Sequence, residues 1–224
     1  SCTFQYCSSL EELDVSYWRL GKLTSLNATF NGCKLLKVLD VKNWGIQKVI
    51  TINSTFKNCS SIEVIDANNW DVSNCTIMTS TFSGCISLIQ LNIDAWNTGK
   101  VTNMNFLFQE CRSLKFLILS KWNTGRVIGM YAMFQNCKTL ESLDISGFNM
   151  EHVTSISFMF YGCSSLRELN LGKWKTDCIV SMNATFSSCS ALKKLNLGNW
   201  NTKNTTLMTN FLKNCNSLVI LCVG

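Results

Sequence analysis

Cysteine is the residue whose number and spacing first raise a question of chemistry in this sequence. The chain carries thirteen cysteines and a single histidine, His152. Nine of the thirteen, Cys7, Cys33, Cys59, Cys85, Cys111, Cys137, Cys163, Cys189 and Cys215, recur every 26 residues without an insertion or deletion. Thiols in such number suggest disulfides, metal ligation or a nucleophile. Stacked coils would hold successive ladder cysteines pointing the same way, about 5 Å or more apart, whereas bonded Cβ atoms lie about 3.5–4.5 Å apart. The ladder therefore reads as buried free thiols acting as small apolar groups. With no C-x-x-C pair and one histidine, a zinc site lacks ligands, and neither a metal nor any other cofactor is expected. Cys2, Cys75, Cys178 and Cys222 lie outside the ladder. Cys178 falls in a column otherwise made of Lys, Arg, Asn and His, which makes it the expected exposed thiol, open to reaction or to an intermolecular bridge.

The elements that position these residues follow from the same period, since a fixed repeat of 20 to 50 residues signals stacked structural units. An aromatic stands three residues before each ladder cysteine, from Phe4 to Phe186, with Leu212 in the last copy. Aliphatics follow at three, six and eight residues, as in Leu88, Leu91 and Ile93, giving L-x-x-L-x-L. That pattern predicts a strand whose alternate side chains enter a shared core. Eleven residues after the cysteine comes an indole in seven copies, Trp18 to Trp200, with Phe148 in another. The next apolar pair, Val101 with Met104 for example, leads into Phe and Cys at offsets of 3, 7 and 10, a helical spacing. Identical side chains of successive coils should then lie on one another, Trp on Trp and Cys on Cys. The expected fold is an α/β solenoid of the leucine-rich-repeat kind, a right-handed stack of about nine 26-residue coils. A parallel β-sheet forms one face and short helices or 3₁₀ turns form the other.

Composition agrees with one repeat domain over residues 1–224. Apolar residues make up 46% and charged residues 15%, and proline is absent, so neither a disordered chain nor a stiff linker is indicated. The formal net charge of +6 is spread along the sequence, which gives no reason to expect nucleic acid as a partner. No apolar run approaches the roughly 20 residues of a membrane span.

The unit T-x-M-x-x-x-F-x-x-C-x-S-L-x-x-L-D-L-S-x-W-N-T resembles the 26-residue bacterial surface-protein repeat, a relative of the BspA-like leucine-rich repeats. The copy from Met133-Phe134 through Cys137 and Leu140 to Leu143-Asp144-Ile145-Ser146 carries the likeness clearly. The resemblance covers essentially the whole chain. It implies an extracellular or cell-surface protein concerned with adhesion or partner binding.

Four surface features are candidate sites. On the strand, the residue between the inward aliphatics forms a column running from Asp14, Asp40 and Asp66 through Asn92, Ile118 and Asp144 to Asn170, Asn196 and Cys222. It reads as a solvated, salt-bridged face, with calcium binding at Asp14, Asp40 and Asp66 as the competing reading. Ile118 interrupts that column beside Phe116 and one coil from Ile89, a cluster expected to contact a partner. Lys22, Lys48, Lys100, Arg126 and His152 share one offset and form a basic ridge able to attract anionic surfaces. The terminal strand, with Val219, Ile220 and Cys222, is apolar on both faces and is an expected end-to-end contact. With acidic residues that recur by register and no glycine-rich phosphate loop, the sequence gives no catalytic constellation. The expected function is recognition of a protein or glycan ligand through the strand face. The alternative is a structural subunit, or a segment of a longer protein, that self-associates through open ends.

Overall fold

A computed structural model, which describes residues 1–223, shows a parallel β-solenoid with the 26-residue period. Seven units contribute a strand: β1 (Val64–Asp66), β2 (Gln90–Asn92), β3 (Phe116–Ile118), β4 (Ser142–Asp144), β5 (Glu168–Asn170), β6 (Lys194–Leu197) and β7 (Ile220–Val223). Each paired residue faces its counterpart one unit later, as in Leu117 with Leu143 and Leu195 with Leu221. The strands do not form one sheet. They group as β1-β2, β3-β4 and β5-β6-β7, and in the first two units only a single bridge, Glu12 with Val38, takes their place. Strands of three or four residues supply few cross-strand bonds each, so the ladder breaks without the coils separating.

What holds the coils in step lies on the return side, where the sequence predicts short helices or 3₁₀ turns and the described residues form a run of hydrogen-bonded turns without a helix. From Leu26 to Gly32 alternate N–H groups donate to the next coil: Leu26 to Thr51, Ala28 to Asn53, Phe30 to Thr55 and Gly32 to Lys57. The intervening N–H groups close turns within the coil, Thr29 to Leu26, Asn31 to Ala28 and Cys33 to Phe30. Equivalent bonds join every successive pair of units, from Cys2 with Asn27 to Ser188 with Lys213. A helix would direct every N–H along its own axis. Here half of them run along the solenoid axis instead, which requires the chain to reverse twice per unit through left-handed residues. Those residues form two columns, one through Ala28, Ser54 and Ser80 and one through Gly32, Asn58 and Gly84. The apolar offsets of 3, 7 and 10 fit this chain of turns as well as they fit a helix. A second bridge column, Ser25, Thr51, Ile77 and onward to Leu207, adds to the bonding beside it.

Inside, the expected columns are present. Trp96 and Trp122 stack with ring centroids 5.9 Å apart, and Phe108 lies 5.5 Å from Phe134. Three buried indoles find acceptors in the preceding coil, whereas the Nε1 of buried Trp44 has none among the described residues. The indole Nε1 of Trp70 donates to the Val41 carbonyl at 2.7 Å, Trp96 to Ala67 at 2.8 Å and Trp122 to Ile93 at 3.2 Å. Each ladder thiol from Cys33 onward donates to a Phe carbonyl of the preceding coil, as Cys85 does to Phe56 at 3.1 Å. No described cysteine is in a disulfide.

Candidate functional site

The strand face exposes several large apolar side chains. Ile89, Phe116 and Ile118 are 57%, 63% and 60% exposed. Phe116 and Ile118 flank the buried Leu117 on β3, so strand alternation points both outward. Val38, 69% exposed, and Val64 occupy the position that Phe116 holds in its own unit. They line a shallow groove of about 300 Å³ with Lys37, Asp40, Glu63 and Asp66. The strand alternation that turns Phe116 outward turns Val38 and Val64 outward too.

The carboxylates of the Asp14 column close local turns. Asp14 accepts from the Ser16 N–H at 2.9 Å, Asp40 from Lys42 at 3.1 Å and Asp144 from Ser146 at 3.1 Å, each closing the turn that follows the strand. Hydrogen bonds from the Ser16 hydroxyl and N–H hold Asp14 below the usual carboxylate range, and Ser146 does the same for Asp144. Asp66 is paired with Lys42 at 3.3 Å, while Lys37 turns to Glu11 at 2.9 Å rather than to the column. Among the described residues no group of three His, Cys, Asp or Glu side chains is arranged to hold a metal ion.

Lys22, Lys48, Lys100, Arg126 and His152 are all exposed, and the Lys100 ammonium donates to Asn74 of the preceding unit. Cys178 is exposed, as are Cys2, Cys7 and Cys222. Val219, Ile220 and Cys222 are exposed as well, Val219 at 81%. The buried thiols are chemically different. Burial pushes Cys33 up to about 11 and Cys75, Cys85 and Cys137 up to about 12, so they are neutral at physiological pH.

A further surface, on the turn side, has no counterpart in the sequence reading. Phe106, Tyr131, Phe158 and Tyr161 form a half-buried row of rings with successive centroids 5.1, 5.6 and 5.8 Å apart. Phe106 and Phe158 both sit at φ 59°, in a left-handed column that elsewhere carries Cys, Ala, Ser or Asn. The row ends at a notch of about 490 Å³ between Phe158 and Tyr161 on one side and Asn210, Lys213 and Asn214 on the other.

A model of the family described as "Mycoplasma protein of unknown function, DUF285" matches residues 1–90, 78–170 and 142–220, three overlapping stretches that span nearly the whole sequence. No curated protein matches the chain significantly. Among solved structures, the chain is similar to a leucine-rich cell surface protein from Faecalibacterium prausnitzii, with 14% identity, a TM-score of 0.41, and coverage of 100% of this chain and 76% of that one. It is also similar to a leucine-rich repeat protein from Bacteroides ovatus, at 19% identity and a TM-score of 0.49, covering 99% of this chain and 56% of that one. A third, TLR13 in complex with ssRNA13, aligns at 19% identity with a TM-score of 0.39 over 90% of this chain and 31% of that one. No described helix is long and apolar enough to cross a membrane.

Proposed function

The chain belongs to the DUF285 family, and from that premise we propose that it is a non-enzymatic recognition module of a secreted or surface-attached protein, binding a protein or glycan partner through its strand face. The observation that carries this reading is the group of outward apolar side chains at Val38, Val64, Ile89, Phe116 and Ile118. Large apolar groups clustered on a face otherwise occupied by Lys, Glu, Asp and Asn favour a contact surface. Aromatic side chains are also the residues that most often anchor such contacts. The Lys22, Lys48, Lys100 and Arg126 ridge would add long-range attraction to an acidic partner.

The test is a Phe116→Ser/Ile118→Asp variant. Both side chains are exposed, so the variant should keep the wild-type circular dichroism and melting temperature while losing attachment to the surfaces or proteins that the wild type holds. A folded variant that retained every partner would remove the strand face from consideration. The rival reading, a structural subunit assembling end to end through Val219, Ile220 and Cys222, draws support from the apolar exposure of β7. Light scattering separates the two: mass that grows with concentration favours assembly, and a persistent monomer counts against it.

A further inference from the structure

We infer that the turn face carries a second binding site, a platform and notch for a short neutral oligosaccharide, running from Phe106 across Tyr131 and Phe158 to the cleft beside Tyr161. This site lies on a different face from the one proposed above and does not depend on it.

Three independent features converge there. Bulky side chains at positive φ are disfavoured by contact between Cβ and the backbone, at a cost of order 1–3 kcal/mol each. Coils with Ala28, Ala132 and Ala184 at the same position follow the same backbone path, so the fold does not demand phenylalanine at Phe106 and Phe158. Those two rings instead hold Tyr131 between them, over the small Ala132, and extend the row to Tyr161. The rings remain partly exposed, which is how aromatic side chains serve a ligand that is apolar on one face and polar at its edge. A pyranose ring, with its C–H groups on one face and hydroxyls around the rim, has that character.

The notch supplies the complementary polar groups. It is lined by Asn183, Ser187, Ser188, Asn210, Lys213 and Asn214 together with the two rings. Among the described residues the side chains of Ser187, Asn210, Lys213 and Asn214 make no hydrogen bond, although Ser187 is only 3% exposed. The Ser187 side chain borders the cavity. The volume falls within the range of small-ligand sites, and amide and hydroxyl groups are the donors and acceptors that sugar hydroxyls require. No carboxylate and only one cation line it, which favours a neutral ligand.

The experiment uses the whole chain against immobilised oligosaccharides: hexamers of β-1,4-linked glucose and N-acetylglucosamine, mannose- and galactose-terminated glycans, a sulfated glycan, and a random peptide library. Phe158→Ala installs the residue that three other coils carry at this backbone position, so folding is retained. Ser187→Gln narrows the notch with the side chain that Gln109 and Gln135 place at the same offset. The expected result is binding to at least one neutral sugar, insensitive to salt, weakened roughly tenfold or more by either variant and unchanged in Phe116→Ser/Ile118→Asp. Absence of binding to every neutral sugar overturns the inference, as does binding that both variants leave intact. Binding only to the sulfated glycan, lost in high salt, would move the interaction to the basic ridge, and binding only to peptides would refute the ligand class.

Discussion

A buried thiol and a buried indole present the same requirement in two columns of this core, since each has one donor that must find an acceptor away from water. The 26-residue coil provides it in both cases, a backbone carbonyl of the preceding unit 29 residues earlier, Phe82 for Cys111 and Ile93 for Trp122. Trp122→Phe keeps the stacking but deletes the donor and part of the ring volume. It should cost about 1–3 kcal/mol, read from urea denaturation. The thiols give the core a pH limit. In the unfolded chain they ionise near their ordinary value of 9.0, whereas Cys85 and Cys137 in the folded protein keep their protons up to about 12. Above the ordinary value the unfolded state therefore binds fewer protons than the native state, and stability falls with rising pH. The melting temperature should be flat from pH 7 to about 8.5 and decline steeply as pH approaches about 11, and a Cys85→Ala/Cys137→Ala variant should lessen the decline. Iodoacetamide at neutral pH should modify the four exposed thiols of the native protein and all thirteen after unfolding.

At the scale of the element, the turn segment rather than the strand carries the regular bonding. Threonine reinforces it from inside: the Thr81 hydroxyl donates to the carbonyls of Met78 in its own coil and Ile52 in the previous one, at 2.8 and 3.0 Å. Thr81→Val should cost about 1 kcal/mol, a loss visible as faster amide exchange in the Met78–Gly84 segment. The strands contrast with this. Phe116 and Ile118 project from a three-residue strand into solvent, so exchanging both for polar residues should shift stability by less than about 0.5 kcal/mol.

Across the whole molecule, each coil touches only its neighbours, and stability accumulates by interfaces. Trp122 is packed between coils on both sides, whereas Trp18, in the first unit, stacks on Trp44 and remains partly exposed. Trp122→Ala should therefore cost about 3–5 kcal/mol and Trp18→Ala distinctly less. Hydrogen exchange should show both terminal units opening at lower free energy than the middle, and equal effects of the two substitutions would contradict the nearest-neighbour account.

A constant repeat obliges equal residue types to coincide in space, and for that reason the columns of Phe, Cys, Leu and Trp could be read directly from their spacing. The same logic located Ile89, Phe116 and Ile118 on the outer face and Cys178 in solvent. Two matters were settled only by the three-dimensional arrangement. Apolar offsets of 3, 7 and 10 suit a helix and a succession of turns alike, and the choice depends on whether backbone N–H groups point along the segment or toward the adjacent coil, which side-chain order does not record. The ring row was hidden for a second reason. Phe106, Tyr131, Phe158 and Tyr161 are separated by 25, 27 and 3 residues, so they share no column, and they meet because the small Ala132 leaves room for Tyr131 between two phenylalanines.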